Sequence, residues 1–313
     1  MEAGVYIVTG FLESGKTKFM QEMLTDDGFS EGERTLLLVC EEGEEEYNPE
    51  MLKKCNTVMV TLESEDDMAG DKLIELDAKY KPERVLIEYN STWLLQALYS
   101  AKKPQNWELA QIITLIDATT FEIYLKNMRT FMADGIQEGD LIIFNRCTPD
   151  MPKSKWRRAA LAMNNTARIF FENTDGTMDD GVADEDLPYD VKTQPIQIAD
   201  KDFGIFYLDA MEHPERYDGK LIRTKCRAFR MQDMPKRCYV LGRHAMTCCV
   251  DDIGGIGFLC KYRDKGPETN AWLMVTAKAE AAFSPMHGRD ALILIEEKRE
   301  KADPPAEELV YFN

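Results

Sequence analysis

A short loop near the start of the chain constrains its fold more than any other feature. Residues 10–17 read G-F-L-E-S-G-K-T and fit the pattern G-x-x-x-x-G-K-[ST]. In this pattern backbone N–H groups surround phosphates, the lysine reaches the outer phosphate oxygens, and the last hydroxyl binds Mg²⁺. An apolar stretch at 5–8 precedes the loop and a helical stretch follows it. Strand, glycine-rich loop and helix in this order predict a nucleotide-binding α/β domain.

The loop and the start of the helix supply most of the predicted nucleotide contacts. The candidate contact residues are Gly10, Glu13, Ser14, Gly15, Lys16, Thr17 and Lys18. Lys16 is also a candidate catalytic residue, because its charge would stabilise a phosphoryl group during transfer. Glu13 is unusual, since a carboxylate near phosphates weakens their binding. We expect its side chain to point to solvent or to a dimer partner.

Acidic residues follow two later strands. Residues 40–47 read C-E-E-G-E-E-E-Y, and their carboxylates suit Mg²⁺. Cys40 with a neighbouring glutamate suits Zn²⁺ or another transition metal, and a solvated acidic loop is the alternative. Glu88 ends a strand at 84–88, where the carboxyl ends of parallel strands face a ligand crevice. We predict Thr17, Glu41 and Glu88 as Mg²⁺ ligands, with the two glutamates as catalytic residues that place Mg²⁺ or the attacking water.

A further segment, N-R-C-T at 145–148, follows a strand at 141–145. Proteins that bind GTP usually carry Asn-Lys-x-Asp at this place. We expect Asn145 to brace the loops and Arg146 to pack over the base. Thr148 lacks the carboxylate that accepts hydrogen bonds from guanine, and Asp150 is the candidate substitute. The predicted ligands are therefore GTP, with ATP as the alternative, and Mg²⁺.

Apolar strands alternate with helical stretches through the first half of the chain. Strands are predicted at 5–8, 35–40, 58–61, 84–88, 112–117 and 141–145, and helices from 16, at 66–80 and at 93–100. Continuous apolar strands between helices predict a mostly parallel sheet covered on both faces. The predicted fold class is therefore α/β, with a P-loop NTPase domain over residues 1–175.

The pattern changes after residue 175. Residues 176–200 are acidic and are predicted to be a linker, and 201–313 a β-rich domain. Strands are predicted at 221–229, 238–241, 256–260, 271–275 and 291–295, which indicates a small all-β domain, an OB-like barrel. Arg223, Lys225 and Arg227 share one face of the first of these strands. We interpret that face as solvated, with a ligand-binding face as the alternative.

Soft and borderline metal ligands concentrate in the same region. His244, Cys248, Cys249 and Cys260 combine imidazole and thiolate groups that suit Zn²⁺ or a similar ion. Adjacent cysteines on a strand point to opposite faces, so Cys248 and Cys249 bind one ion together only if the chain turns there. In the alternative interpretation, Cys248 and Cys260 are small core residues and His244 lies at the surface.

Composition excludes some classes of partner. The chain has 56 Asp and Glu against 38 Lys and Arg, a formal net charge of −18, which argues against nucleic acid. No apolar run approaches the ~18 residues of a membrane span, and the start lacks the basic region of a signal peptide. We therefore expect a cytoplasmic protein without membrane insertion, with its cysteines as thiols.

On four segments in order, residues 1–175 resemble the CobW/HypB/UreG group of P-loop GTPases, within its CobW-type branch. The group's patterns are G-F-L-G-x-G-K-T-T, N-E-x-G, E-x-x-G and N-K-x-D. They correspond here to G-F-L-E-S-G-K-T-K at 10–18, C-E-E-G at 40–43, E-Y-N-S at 88–91 and N-R-C-T at 145–148. Ser91 stands in place of the family's glycine, and Thr148 in place of its aspartate.

The resemblance implies a slow GTPase in metal homeostasis or metal delivery, a metallochaperone with a metal-requiring client protein, and a homodimer as one arrangement. Segments within 187–300, such as L-P-Y-D-V and G-R-H-A-M-T-C-C, are similar to the C-terminal domain of YcgQ-type proteins. Those proteins occur with a permease-like membrane partner. The alternative function is a non-hydrolysing binding module that responds to nucleotide or metal.

Overall fold

The chain forms two compact units. The computed structural model describes residues 2–29, 32–68, 71–95, 98–99, 102–181, 187–230, 234–246, 253–284 and 289–312. The N-terminal unit comprises Met1–Lys153 and Thr166–Val182, and the C-terminal unit comprises Ser154–Asn165 and Ala183–Asn313.

The N-terminal unit is built on an eight-stranded sheet. Its strands are β1 Ala3–Thr9, β2 Thr35–Val39, β3 Thr57–Thr61, β4 Arg84–Glu88, β5 Trp107–Asp117, β6 Leu141–Cys147, β7 Arg168–Asn173 and β8 Met178–Asp179. Their spatial order is β3-β2-β4-β1-β5-β6-β7-β8. Seven strands are parallel, and only the edge strand β8 pairs antiparallel. The predicted mostly parallel sheet is confirmed.

Helices cover both faces of this sheet. The described helices of this unit are α1 Lys16–Thr25, α2 Pro49–Lys54, α3 Asp71–Tyr80, α4 Phe121–Asn127 and α5 Arg129–Glu138. The next helix along the chain, α6 Lys153–Met163, falls almost entirely in the C-terminal unit. Apolar residues of α1 pack in one core cluster and those of α3 in another. Every residue of β2 and of β4 is buried, which explains their unbroken apolar sequences.

Two predicted helices need adjustment. The helix expected at 66–80 is divided into a short 3₁₀ turn at Glu65–Met68 and α3. The helix expected at 93–100 includes positions 96–97 and 100, which lie outside the described residues. Neither change affects the strand ends that carry the predicted site.

Those strand ends meet at one edge of the sheet. β1 lies between β4 and β5, and Val8 pairs with Glu88 at the last position of β4. On the other side of β1, Asp117 at the end of β5 pairs with Asn145 of β6. Parallel strands bring all their carboxyl ends to the same edge, so residues distant in sequence collect around the loop after β1.

The C-terminal unit contains a closed barrel. Its strands are β9 Ile196–Gln197, β10 Leu221–Phe229, β11 Cys238–Met246, β12 Ile253–Lys261, β13 Trp272–Ser284 and β14 Arg289–Lys301. The order β11-β12-β14-β13-β10 closes because β10 also pairs with β11, and β9 adds to the outside of β10. A closed five-stranded barrel of this kind confirms the predicted OB-like fold.

The prediction of an all-β domain missed two helices in this unit. Helices α7 (Phe203–Glu212) and α8 (Pro214–Tyr217) precede the barrel strands. The ring of Phe206 lies 5.1 Å from that of Phe258 in β12, and Phe203 also packs against Phe258. Seven of the ten residues of α7 are buried, so its sequence is apolar almost all round and lacks helical periodicity.

The basic face of β10 is not simply solvated. Arg223 pairs with Glu300 at 3.6 Å, Lys225 with Asp200 at 2.9 Å and Arg227 with Glu308 at 3.2 Å. The alternate residues of the strand, from Ile222 to Ala228, point into the barrel and are buried. Each cation of this face therefore has its own carboxylate.

The stretch predicted to be an acidic linker contributes to both units. Within 176–200, β8 joins the first sheet and β9 joins the second, while 182–186 lie outside the described residues. Over the described part of the chain, no helix combines the length and apolar character needed to cross a bilayer.

A pair of glycines fixes the contact between β11 and β12. Gly242 faces Gly257, and a Cβ on Gly242 would lie 2.2 Å from the carbonyl oxygen of Ile256. Gly242→Ala should therefore lower the free energy of unfolding by about 3 kcal/mol, because the backbones must separate. Gly254→Ala is the matched control, since a Cβ there meets nothing within 4 Å. Chemical denaturation followed by circular dichroism measures both; equal stability of the two variants would contradict this packing.

Candidate phosphate-binding site

Two glycines shape the loop between β1 and α1. Gly10 has φ 144°, and a Cβ there would lie 2.2 Å from the carbonyl oxygen of Leu115. Gly15 has φ 91° and precedes α1 without any side-chain cap. The first N–H groups of a helix have no partner within it, so those of α1 are available to an anion.

Lys16 lies at the centre of the site and is 3% exposed. Its Nζ donates hydrogen bonds to the carbonyl oxygens of Gly10 at 2.7 Å and Phe11 at 3.1 Å. It also forms an ion pair with the carboxylate of Glu41, which follows β2. Lys16 and Glu41, two of the predicted catalytic residues, therefore lie together and form an ion pair with each other.

Glu88 is the second centre of the site. Its Oε1 accepts a hydrogen bond from the Thr17 hydroxyl at 2.9 Å, and its Oε2 accepts one from the Tyr47 hydroxyl at 2.5 Å. Burial raises the pKa of Glu88, while the Tyr47 hydrogen bond, the Lys16 charge and the Thr17 hydroxyl act to lower it. Burial and the neighbouring Glu88 charge raise the pKa of Tyr47 well above its usual range, so Tyr47 remains a donor.

Tyr47 was not among the residues predicted from the sequence. It is 9% exposed, and it closes the acidic run at 41–47, hereafter the acidic segment. An aromatic residue at the end of five glutamates, just before the capped helix α2, was the available signal. Its hydroxyl donates a hydrogen bond to Glu88, the last residue of β4. Spacing along the chain does not reveal this contact, because the two residues are far apart in the sequence.

Glu13 is exposed, as expected, but its carboxylate also has a partner within the chain. Its Oε1 accepts a hydrogen bond from the backbone N–H of Glu44 at 2.9 Å. The acidic segment is therefore attached to the loop region at three points, through Glu13, through Lys16 and, by way of Tyr47, through Glu88. The alternative of a solvated acidic loop fails for Glu41 and Tyr47, whereas Glu42, Glu44, Glu45 and Glu46 are exposed.

The Asn145 segment braces the loop from the other side. Asn145 Nδ2 donates to the carbonyl oxygen of Ser14 at 2.6 Å. Arg146 donates to the carbonyl oxygen of Glu13 at 2.9 Å and forms an ion pair with Asp117. The guanidinium of Arg146 thus supports the loop in this structure.

Asp150 lies next to the position that usually selects guanine. It accepts a hydrogen bond from the Thr148 hydroxyl at 2.6 Å, and this bond lowers the pKa of the exposed Asp150 carboxyl. An ionised carboxylate is therefore present two residues after the expected place. The side chain of Lys18 points away from the loop and forms a surface ion pair with Glu22 at 3.7 Å.

These residues fit a nucleotide phosphate and Mg²⁺. Ser14 Oγ and Asn145 Oδ1 are buried and have no hydrogen-bond partner among the described residues. Buried polar atoms without a partner are rare in native proteins. The uncapped start of α1 and the Lys16 ammonium suit an anion. The adjacent oxygens of Thr17 and Glu88 are hard ligands of the kind that Mg²⁺ takes.

Of the residues predicted for a transition metal, the described His244 and Cys260 do not share a site. Cys40 is 4% exposed in the apolar core, and burial raises the pKa of its thiol to about 12. Cys260 faces Tyr239 inside the barrel, and burial also raises the pKa of its thiol to about 12. His244 pairs with Gly255, five positions along β11, where the strand's alternation puts it on the opposite face.

The remaining two cysteines of that prediction, Cys248 and Cys249, lie outside the described residues. Within the parts of the chain that the structure does describe, no three His, Cys, Asp or Glu side chains cluster in a way that suits a metal ion. A joint site of His244 and Cys260 is therefore corrected: β11 and β12 hold them apart, and Cys260 is a core residue.

Two family models match the chain. The model of the CobW/HypB/UreG nucleotide-binding domain matches residues 4–171, and that of the DUF1980 C-terminal domain matches residues 175–312. The first confirms the resemblance seen in the sequence. The second covers and extends the segment that is similar to YcgQ-type proteins. No curated protein sequence is significantly similar to this chain.

Several solved structures are distantly similar. The Zn(II)-bound YjiA GTPase from E. coli is 17% identical, with 77% of this chain and 86% of that one covered and a TM-score of 0.42. The hydrogenase maturation factor HypB from Archaeoglobus fulgidus is 14% identical, with 56% and 82% covered and a TM-score of 0.38. HypB from Helicobacter pylori in complex with nickel is 13% identical, with 67% and 87% covered and a TM-score of 0.33.

The Lys16–Glu41 pair generates a prediction about nucleotide binding. Glu41→Gln should tighten the binding of a nucleoside diphosphate about tenfold without Mg²⁺, because the phosphates no longer compete with a carboxylate for Lys16. Glu42→Gln removes the same charge from the exposed neighbouring residue and should change affinity far less. Isothermal titration calorimetry in a chelator measures both variants. Equal gains in both would mean that only the overall charge matters, and weaker binding in Glu41→Gln would refute the competition.

Proposed function

The chain belongs to the CobW/HypB/UreG family, and we propose that it is a slow GTPase of the CobW type that acts in metal homeostasis or metal delivery. The observation that carries the proposal is the convergence of Lys16, Thr17 and Glu88 on one loop, with the acidic segment bound to the same groups. Its partners would be a metal-requiring client protein or a permease-type membrane protein, and a second copy of the chain.

The proposed chemistry is the transfer of the terminal phosphate of GTP to water. The loop N–H groups and Lys16 would bind the phosphates and stabilise the charge that develops on them. Thr17 and Glu88 would hold Mg²⁺, directly or through water, and bound Mg²⁺ supplies neutralisation of the phosphate charge. Glu41 would leave Lys16 when the phosphates arrive, and it is then free to orient water.

The acidic segment gives a reason for slow turnover. In the structure Glu41 is paired with Lys16, and this pair must open before the Glu41 carboxylate can orient a water molecule. Tyr47 holds Glu88 through a hydrogen bond that a metal ion would compete with. Both contacts must change before hydrolysis, and a partner that binds the acidic segment would accelerate that change.

Preference for GTP over ATP rests on one carboxylate. Asp150 is ionised and exposed beside Thr148, and a carboxylate there would accept hydrogen bonds from the two N–H groups of guanine. Adenine presents no such pair of donors. Arg146 would cover the base only after it leaves Asp117 and the Glu13 carbonyl oxygen.

One observation favours the second candidate function, a binding module that responds to nucleotide without hydrolysing it. Lys16 already has an anionic partner within the chain, so nucleotide binding exchanges one partner for another. That exchange alone would release the acidic segment and would signal that nucleotide is bound.

Phosphate release separates the two functions. We expect GTP to be hydrolysed slowly and faster than ATP with Mg²⁺, and Lys16→Ala to abolish hydrolysis because the loop then lacks its cation. The assay compares both nucleotides, with and without Zn²⁺, in the intact protein and in Lys16→Ala. Nucleotide binding without any release above the Lys16→Ala background would support the binding module instead.

The pH dependence of hydrolysis tests the Tyr47–Glu88 contact. Only ionised Glu88 can hold Mg²⁺, and its raised pKa means that activity falls as pH drops towards that value. Tyr47→Phe removes a hydrogen bond that lowers this pKa, so the acid limb of the pH–rate profile should move to higher pH. Tyr6→Phe, on β1 with its ring against Phe29, is the matched control. An acid limb that does not move in Tyr47→Phe would contradict the assignment of Glu88.

A further inference from the structure

The outer face of the barrel in the C-terminal unit has a cavity that the proposed function does not use. Its volume is about 310 Å³, at the lower end of the range of small-molecule sites. In the described part of the chain, its lining comes from β10, β11, β12 and β13 and from the segment after β14: Arg227, His244, Ile253, Trp272, Glu308 and Leu309.

The cavity exists because β12 begins with Ile253 followed by Gly254 and Gly255, which have no side chains to fill the space. Gly255 is the partner of His244 across the β11–β12 ladder. A Cβ added to Gly254 or to Gly255 would meet no atom of the described residues within 4 Å. The strand therefore leaves open space where other strands of the barrel carry side chains.

Two N–H donors at this cavity have no acceptor among the described residues. Trp272 is 8% exposed, and its indole Nε1 is buried without a hydrogen-bond partner in the described part of the chain; the same holds for Nε of Arg227. The two residues are directly opposite on β10 and β13, and the guanidinium of Arg227 lies 5.1 Å from the centroid of the Trp272 ring. Buried donors without acceptors are unfavourable and rare, so a pair of them at a cavity indicates an acceptor from outside.

The charges around the cavity favour a ligand with one negative charge. A second guanidinium, that of Arg243, lies 5.8 Å from the Trp272 ring, and its nitrogens donate to the carbonyl oxygens of Asp200, Glu307 and Glu308. The carboxylate of Glu308 pairs with Arg227 at 3.2 Å. The carboxylates of Asp200 and Glu307 also act on Arg243. The surroundings therefore carry several negative charges, which would repel a dianion more strongly than a monoanion.

We propose that this cavity binds a small monocarboxylate. Its two oxygens would accept the hydrogen bonds of the Trp272 indole N–H and the Arg227 Nε–H, since a planar carboxylate suits two neighbouring donors. Its apolar body would contact Ile253 and Leu309. The proposal does not depend on the nucleotide site, which lies in the other unit.

The indole signals of an isotope-labelled protein provide the test. The chain has four tryptophans, so Trp272→Phe identifies the signal of Trp272 by its loss. Titration of the intact protein with benzoate, phenylacetate and acetate should move this signal downfield to saturation with at least one of them. The corresponding amides, which have the same shape without the charge, should leave it in place.

Two variants make the test specific. Arg227→Gln should weaken carboxylate binding about tenfold, because it removes the charged donor. Arg223→Gln is the matched control, since Arg223 lies on the same face of β10 and pairs with Glu300 instead. Three results would each overturn the proposal: no saturable shift with any carboxylate of the panel, equal weakening in both variants, or a shift produced by inorganic phosphate but by none of the carboxylates.

Discussion

The buried ammonium group of Lys16 is the constraint around which the N-terminal unit is arranged. A charge removed from water is strongly destabilising unless hydrogen bonds and an opposite charge compensate it. Two carbonyl oxygens of the loop and the Glu41 carboxylate provide this compensation. Gly10 and Gly15 give the loop its shape through their positive φ angles, and the acidic segment supplies the anion. A nucleotide phosphate therefore enters a site whose cation is already neutralised.

Parallel strands bring the other residues of the site together from distant parts of the chain. Thr17 and Glu88 are 71 residues apart, and Ser14 and Asn145 are 131 apart, yet each pair shares a hydrogen bond. The sheet order sets these distances, because β1 lies between β4 and β5. The loop is thus held from one side by the Glu88 group and from the other by Asn145. The proposed hydrolysis and the proposed switching would both act on that bracing.

The sequence predicted the parts of the structure that follow from local pattern. The G-x-x-x-x-G-K-T loop, the apolar strands before Glu88 and Asn145, and the alternation in β10 each have a period or spacing that sterics dictate. Side-chain partners were harder to predict, because the hydrogen bonds of Tyr47 with Glu88 and of Glu13 with Glu44 depend on how separate strands meet. The pairing of His244 and Cys260 failed because the strand predicted at 238–241 extends through His244, and the ladder with β12 puts the two residues on opposite faces. Helix α7 was missed since burial on all sides removes its periodicity.

The carboxylates fastened beside the phosphate loop also affect how a nucleotide arrives. Glu13 and the acidic segment place several negative charges at the entrance, and the protein as a whole carries −18. Free nucleotide, itself an anion, approaches against this field, whereas its Mg²⁺ complex carries less charge and is repelled less. Added salt shortens the range of the repulsion to ~10 Å at 0.1 M, so the association rate rises with ionic strength. If the ligand is a nucleotide with Mg²⁺, as proposed, this field would favour the metal complex over the free nucleotide in the rate of encounter, before any residue of the loop makes contact.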